Sequence, residues 1–170
     1  MKDIWTLTLM GEDEPQIIES LSNIIAEHDG NWLESRIAKM SHKFVAIIGL
    51  EIPQSNSSKL QDALEAFSDE KELAMLVSVN GLNEPSNLPA ACVTITANDR
   101  PGIVLAITQA LTDCGLSVEE LETHCASAPF GNENLFTALV KLNLSEKQSD
   151  ILKESLEKLG DDFMVDVEFD

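Results

Sequence analysis

Large apolar residues recur with two different periods along the first part of the chain. In residues 4–10 they alternate with threonines, which predicts a half-buried β-strand. A stripe with helical spacing follows Pro15 and ends before Gly30, which is placed for a helix C-terminus. The stripe consists of Ile17, Ile18, Leu21, Ile24 and Ile25. The chain therefore begins with a strand and an amphipathic helix.

Two strands, a helix and a final strand are predicted in the rest of the first half. Residues 32–40 form a second, more polar strand, and residues 44–52 alternate as a third. The next helix is expected to begin at Ser58, because Ser58 and Gln61 have the spacing of a capping box. Its apolar stripe consists of Leu60, Ala63, Leu64 and Phe67. The last strand is predicted at residues 73–79.

The second half repeats this order of elements. Strands are predicted at residues 91–96, 118–125, 136–144 and 163–169. One helix runs from near Pro101 to near Gly115, and another begins at a capping box formed by Ser145 and Gln148. Each half therefore has the order βαββαβ, which is the ferredoxin-like unit. The predicted fold class is α+β, with two four-stranded antiparallel sheets that each carry two helices on one face.

A polar segment with two prolines separates the two halves. Residues 83–89 read Asn-Glu-Pro-Ser-Asn-Leu-Pro, a composition that suits a linker. We expect an N-terminal domain in residues 1–84, a linker in residues 85–89 and a C-terminal domain in residues 90–170. A chain of 170 residues is long enough for two small domains of this kind.

The chain is strongly acidic. It has 30 acidic and 11 basic residues, which gives a net charge of −19 at pH 7. Proteins that bind phosphate backbones or anionic membranes use clustered lysine and arginine, so the composition argues against direct binding of nucleic acid or membranes. No apolar run is long enough to span a bilayer, and a signal peptide is not recognisable. The expected compartment is the cytoplasm.

The sequence has no recognisable catalytic or metal-binding motif. It lacks a nucleophile elbow, a P-loop, a zinc-protease helix motif and a Rossmann glycine fingerprint. Cys92, Cys114 and Cys125 do not have the paired spacing of a zinc site or a disulfide framework. The adjacent His124 and Cys125 point to opposite faces of a strand, so they cannot act on each other as base and nucleophile. We therefore expect a protein that is not an enzyme and that needs no cofactor and no metal.

One strand-to-helix turn has an unusual composition, because residues 98–104 read Asn-Asp-Arg-Pro-Gly-Ile-Val. A capped helix start explains Asp99 and Pro101, since both residue types are favoured there. It does not explain Gly102, which weakens a helix by about 1 kcal/mol relative to alanine. A ligand that approaches the backbone closely would explain it. The helix N–H groups would then bind a carboxylate and Asp99 an ammonium group, the two charges of an α-amino acid.

The same turn resembles the motif of a known family. Asp-Arg-Pro-Gly-Ile-Val at 99–104, followed by Gly-Leu-Ser-Val at 115–118, resembles the ACT domain, an amino-acid-sensing module attached to many metabolic enzymes. Two such units in a short chain resemble the glycine cleavage system transcriptional repressor family. The runs at 11–15 and 30–33 are similar to the N-terminal unit of that family. The resemblance covers nearly the whole chain.

The resemblance implies where a ligand would bind. In the second half the implied positions are Asp99, Gly102, Ile103, Ser117 and Val118. In the first half the corresponding positions are Asp13, Gln16, Ile17, Trp32 and Leu33. The first-half site departs from the pattern, because Gln16 narrows the approach and Glu14 would repel a carboxylate. Residues 126–134 are a longer segment than their counterpart at residues 41–43, and we expect them to cover the neighbouring site as a lid.

The resemblance also implies a regulatory function. We expect an amino-acid-responsive protein, with glycine the favoured ligand, that represses the glycine cleavage system by binding a DNA-binding activator rather than DNA. Its acidic surface suits a basic partner through electrostatic steering. The alternative is a ligand-sensing subunit that acts in trans on a metabolic enzyme. The edge strands at residues 32–40 and 118–125 are expected to pair with each other, within a chain or between the chains of a homo-oligomer.

Overall fold

Each half of the chain folds into four strands and two helices. The computed structural model describes residues 1–79, 89–127 and 134–169. The first half contains β1 (Lys2–Glu12), α1 (Ile17–Glu27), β2 (Asn31–Met40), β3 (Lys43–Pro53), α2 (Ser57–Glu70) and β4 (Ala74–Val79). The second half contains β5 (Ala90–Asn98), α3 (Ile103–Asp113), β6 (Val118–Ser127), β7 (Asn134–Asn143), α4 (Glu146–Glu157) and β8 (Met164–Phe169). The predicted α+β fold class and the repeated βαββαβ order are confirmed.

The strands of each half form one antiparallel sheet. The strand order is β2-β3-β1-β4 in the first half and β6-β7-β5-β8 in the second. β2 therefore lies at an edge beside β3, and β6 lies at an edge beside β7. The edge positions of β2 and β6 agree with the expectation for these two strands. Their pairing with each other, within a chain or between two chains, stays a prediction.

One face of each sheet is buried beneath its two helices. In β1 the side chains of Trp5, Leu7 and Leu9 are buried, while Thr6 and Thr8 on the opposite face are partly exposed. The first core is completed mainly by Leu21, Ile25, Ile48, Leu50, Leu60 and Leu64. The second core includes Val93, Ile95, Ile107, Leu111, Val140 and Leu152. Strand alternation and helix stripes thus meet in one core per half.

The chain divides into two compact units, residues 1–84 and residues 85–170. The predicted linker at residues 85–89 lies outside the described residues except for Pro89. Most of the expected lid at residues 126–134 also lies outside the described part of the chain.

Of the two predicted capping boxes, one is confirmed and one is wrong. The Ser145 hydroxyl accepts a hydrogen bond from the Gln148 N–H, and the Gln148 side chain accepts one from the Ser145 N–H. Helix α2 instead begins at Ser57, so that Ser58 lies inside its first turn. The residue at its N-cap is Asn56, whose side chain does not cap the helix.

The side chain of Asn56 explains why α2 has no local cap. Its amide donates hydrogen bonds to the carbonyl of His28 at 2.9 Å and to the carboxylate of Asp29 at 3.0 Å. These contacts attach the start of α2 to the end of α1. The pattern at Ser58 could not reveal this, because the partners of Asn56 come from another helix.

Candidate functional site

The residue immediately before helix α3 has a left-handed backbone conformation. Gly102 occupies the N-cap with φ 86° and ψ 5°, and the helix starts at Ile103, close to the predicted start near Pro101. No side chain caps this helix, so the interpretation of Asp99 as its cap was wrong. A Cβ atom on Gly102 would meet nothing within 4 Å, so the left-handed conformation, rather than crowding within the protein, accounts for the glycine.

The same left-handed N-cap occurs in the first half, where the residue is Gln16. It has φ 72° and ψ −1° immediately before α1. The first helical hydrogen bonds are also equivalent, from Ser20 to Gln16 at 2.8 Å and from Ala106 to Gly102 at 3.0 Å. The two halves therefore share one turn geometry. Gln16 adopts it with the strain that a side chain brings to left-handed backbone.

Arg100 connects the turn after β5 to the segment between α4 and β8. Its guanidinium donates hydrogen bonds to the Asp162 carboxylate and the Leu159 carbonyl, each at 3.3 Å. It also lies 5.2 Å from the centre of the Phe163 ring, within the range of a cation–π contact. The second oxygen of Asp162 accepts a hydrogen bond from the Asn98 N–H at 3.0 Å. The bond from Asn98 is the main cause that lowers the pKa of Asp162, and the backbone N–H of Asp162 itself and the charge of Arg100 lower it further.

An open polar groove of about 580 Å³ lies beside this contact. It is lined by Asn98, Asp99, Arg100, Asn134, Asp161 and Asp162. Asp162 is engaged by Asn98 and Arg100, so Asp99 and Asp161 supply the remaining negative charge. Carboxylates can bind the ammonium group of a zwitterion, and N–H groups at a helix start can bind its carboxylate.

Asp99 also contacts Cys125 on β6, a relationship that the sequence analysis missed. The thiol is hydrogen-bonded to the carboxylate, and this bond is the main cause that raises the pKa of Cys125. Smaller contributions come from desolvation and from the charge of Asp99. A raised pKa keeps the thiol protonated, which is opposite to what a catalytic thiolate needs. No local pattern signals the pair, because the two residues belong to different strands.

The turn after β1 borders a cleft of about 300 Å³ between α1 and β2. Its walls are apolar at Pro15, Ile17, Ile37 and Phe44 and charged at Asp13, Glu14, Glu19 and Lys39. Asp13 and Lys39 form an ion pair of 2.7 Å within this cleft. The structure therefore brings Asp13, Gln16 and Ile17 together at one cavity.

Ile17 and Ile103 contribute to the turns mainly through their backbones. Each side chain is only 4% exposed and belongs to a hydrophobic core. The N–H of Ile103 donates to the carbonyl of Arg100 at 3.2 Å. These isoleucines anchor the first turns of α1 and α3 in the core.

The remaining implied positions lie at the opposite end of each sheet. β5 and β6 are both antiparallel to β7, so they run in the same direction. Val118 is level with Leu142 and Ala91 at the start of β5, whereas Asp99 follows the end of β5. The intervening strand is about 23 Å long at about 3.3 Å per residue. Ser117 and Val118 therefore do not meet Asp99 within one domain.

The N-terminal domain has the same separation. Trp32 is level with Leu50 and Trp5 near the start of β1, whereas Asp13 follows the end of that strand. Trp32 is partly buried against the core, and Leu33 is 44% exposed. The structure does not bring these two residues to the cleft beside α1.

Neither a metal centre nor a membrane-spanning helix occurs in the described part of the chain. Its histidine, cysteine, aspartate and glutamate side chains nowhere form a group of three that could hold a metal ion. No helix there is both long and apolar enough to cross a bilayer.

Both halves of the chain match one family of domains. The model of the ACT domain family matches residues 4–80 and residues 91–170. The chain belongs to the ACT domain family. Its two matches confirm the expected tandem of ACT repeats. ACT domains are ligand-sensing regulatory domains, so this tandem ACT protein is a regulatory protein.

Two solved structures are similar over their full lengths. An unknown protein from Galdieria sulphuraria has a TM-score of 0.84 and 21% identity, over 100% of this chain and 99% of the other. A "putative glycine cleavage system transcriptional repressor" has a TM-score of 0.73 and 15% identity, over 100% and 98% of the two chains. At these identities the similarity concerns the fold. No curated protein matches the sequence.

Proposed function

We propose that this tandem ACT protein senses a small amino acid, with glycine favoured, and represses the glycine cleavage system by binding a DNA-binding activator. In this proposal it acts in the cytoplasm, catalyses no reaction and does not contact DNA. The observation that carries the proposal is the pair of ACT repeats, which together match nearly the whole chain. The similar structure that is described as a "putative glycine cleavage system transcriptional repressor" supports the choice of the regulated system.

The turn at Asp99 suits a small zwitterion. Asp99 and Asp161 line the groove and supply negative charge for an ammonium group. Helix α3 starts three residues after Arg100, and N–H groups at a helix start favour a carboxylate. The space around the absent Cβ of Gly102 is open, so ligand atoms can lie against the backbone. The residues that line the groove are polar, which favours glycine or another small amino acid over a large apolar one. Ser117 and Val118 can complete this site only from a second chain.

Calorimetric titration with each of the common amino acids tests this site. Asp99→Asn keeps the shape of the side chain and removes its charge, so it should weaken glycine binding by at least about tenfold. Asp13→Asn is the matched variant in the N-terminal domain and should leave glycine binding unchanged. Undiminished binding by Asp99→Asn, or equal losses in both variants, would show that glycine binds elsewhere.

The cleft beside α1 favours a second ligand site of different chemistry. Pro15, Ile37 and Phe44 offer apolar walls, and Asp13 and Lys39 offer one charge of each sign. An amino acid with an apolar side chain matches this combination, because its two charged groups can replace the internal ion pair. Lys39→Gln should abolish leucine binding measured by calorimetry and leave glycine binding intact. Retained leucine binding would exclude the cleft as its site.

The alternative function is regulation of a metabolic enzyme in trans. Both functions use the same ligand chemistry and differ in the protein partner. The net charge of −19 favours a basic partner surface, which a DNA-binding activator provides. Pull-down with and without glycine, followed by mass spectrometry, distinguishes the two. If a transcription activator is recovered in amounts that depend on glycine, the repressor function is supported. If a metabolic enzyme is recovered instead, regulation in trans is supported.

A further inference from the structure

The open face of the N-terminal sheet, opposite its helices, is apolar. Two neighbouring rows of residues cross the strands β4, β1, β3 and β2 on this face. One row is Leu76, Thr8, Ile47 and Arg36, and the next is Ala74, Met10, Val45 and Ala38. The exposed fractions are 64% for Leu76, 54% for Met10, 48% for Ile47 and 39% for Val45. An antiparallel sheet with one solvated face normally carries polar residues there.

The corresponding face of the C-terminal sheet follows that ordinary pattern. The row equivalent to that of Leu76 is Asp166, Thr94, Leu139 and Glu122, and the row equivalent to that of Met10 is Met164, Thr96, Thr137 and His124. Carboxylates lie at both edges of the first of these rows, and three of the four residues in the second are polar. Because the two sheets have the same topology, an ACT sheet does not need apolar residues at these outward positions. Their presence in the N-terminal sheet indicates a face that another surface covers.

We propose that this open N-terminal face binds the same face of a second copy of the chain and forms a symmetric dimer. The net charge of −19 makes most approaches between two copies repulsive. On this face Glu34 and Arg36 occupy neighbouring rows of β2, and Lys43 pairs with Glu12. The charges of the face thus balance. Each copy brings one charge of each sign to the exposed edge, which suits contact with an identical surface.

A groove on the same face provides a socket for the partner copy. It has a volume of about 210 Å³ and is lined by Thr6, Glu34, Ser35, Arg36, Ile47 and Gly49. Gly49 leaves this space because it has no side chain on β3. A two-fold axis parallel to the strands places β4 of each copy over β2 of the other, which brings Leu76 to the groove beside Arg36. This contact is reciprocal, as a two-fold interface requires, and aligned sheets pack in this way about 10 Å apart.

The size of the face is typical of a weak interface. Four strands spaced about 4.8 Å apart, over about six residues of strand, give a footprint of roughly 20 Å by 20 Å. That is about half of the roughly 800 Å² per partner that stable interfaces bury. We therefore expect a dimer that forms at micromolar concentration and dissociates on dilution.

Sedimentation velocity on the full chain, over a range of about 1–200 μM, tests the dimer with a matched pair of variants. Ile47→Glu places a charge in the middle of the face and should weaken the dimer by about a hundredfold or more. Leu139→Glu is the control, because Leu139 has the equivalent register position and is 42% exposed, against 48% for Ile47. The control should dimerise like the unmodified protein. An unmodified protein that stays monomeric, or two variants with equal effects, would overturn the proposal.

Disulfide cross-linking tests the direction of the two-fold axis. Leu76 and Arg36 lie at opposite edges of one sheet, about 14 Å apart, which is too far for a disulfide within a copy. Oxidation of the Leu76→Cys/Arg36→Cys protein should give a covalent dimer joined through these two positions, as mapped by peptide mass spectrometry. The Leu76→Cys protein alone should not give this product. A dimer in solution without this cross-link would place the interface elsewhere and overturn the proposal.

Discussion

Arg100 and Asp162 join two loops of the C-terminal domain through an ion pair of 3.3 Å, and the N-terminal domain makes the equivalent contact with reversed charges. There Glu14 occupies the position of Arg100 and lies 3.7 Å from Lys71. Both pairs attach the strand-to-helix turn to the segment that follows the second helix. Lys71 offsets the charge of Glu14, so the repulsion of a carboxylate that the sequence predicted for Glu14 is reduced.

The contact of Asp162 predicts a pH-dependent loss of stability. Its pKa is lowered in the folded protein, so its ionised form stabilises the fold above the ordinary aspartate pKa of about 3.9. This contribution disappears as the pH falls through the lowered pKa. Asp162→Asn should therefore unfold at lower urea concentration than the unmodified protein at pH 7, and the difference should narrow below about pH 4. Asp161→Asn serves as the neighbouring control, and a difference that stays constant with pH would contradict the prediction.

The shared left-handed N-cap predicts opposite effects of exchanging its residues. Gln16→Gly should stabilise the protein by about 0.5 kcal/mol, because the relief of strain exceeds the added freedom of the unfolded chain. Gly102→Gln should destabilise it by about 1 kcal/mol for the reverse reason. Urea unfolding of both variants measures the two changes in the free energy of unfolding. If both changes had the same sign, φ would not control the stability of these turns. The same strain makes a bulky substitution of Gly102 a poor probe of ligand binding.

The two serines of the predicted capping boxes should differ in importance. Ser145→Ala removes a hydrogen-bonded cap and should cost about 1 kcal/mol. Ser58 lies inside α2 and does not cap it, so Ser58→Ala should change stability by less than about 0.5 kcal/mol. Chemical unfolding curves of the two variants provide the comparison. Similar losses would indicate that Ser58 does cap the helix in solution.

The hydrogen bond between Cys125 and Asp99 predicts slow alkylation of an exposed thiol. Asp99→Asn removes the carboxylate whose hydrogen bond, and to a smaller extent whose charge, raises the pKa of Cys125, so more thiolate forms and the reaction with iodoacetamide should be faster near pH 8. Peptide mass spectrometry follows each cysteine separately. Cys92 and Cys114 should react at the same rate in both proteins. An unchanged rate at Cys125 would argue against the contact.

Indirect regulation predicts that the purified protein does not bind DNA. With a net charge of −19, a gel shift with an operator fragment should be absent at physiological salt. The ACT protein should affect the mobility of the DNA only when the activator is present. It should then change the shift that the activator causes. A shift by the ACT protein alone would rule out the indirect mechanism.

The candidate site could be predicted from the sequence only in part. The run at residues 98–104 correctly marked a strand-to-helix turn, because proline and glycine restrict the backbone locally. The positions of Ser117 and Val118 relative to Asp99 depend on the strand order, which places the start of β6 at the far end of the sheet. The cleft beside α1 depends on the register of β2. The presence of Gln16 in place of a glycine did not indicate that a cleft lies there.

The sequence by itself determined the type and order of the elements, because strand alternation, helix stripes and the Ser145–Gln148 capping box involve residues close together in the chain. Tertiary structure decided the start of α2 at Ser57, the contact of Asp99 with Cys125 and the apolar open face of the N-terminal sheet. Alternation showed which residues share a face of one strand, but only the sheet order and register placed those of four strands side by side. Contacts between elements depend on how the elements pack, and that packing is a property of the whole domain.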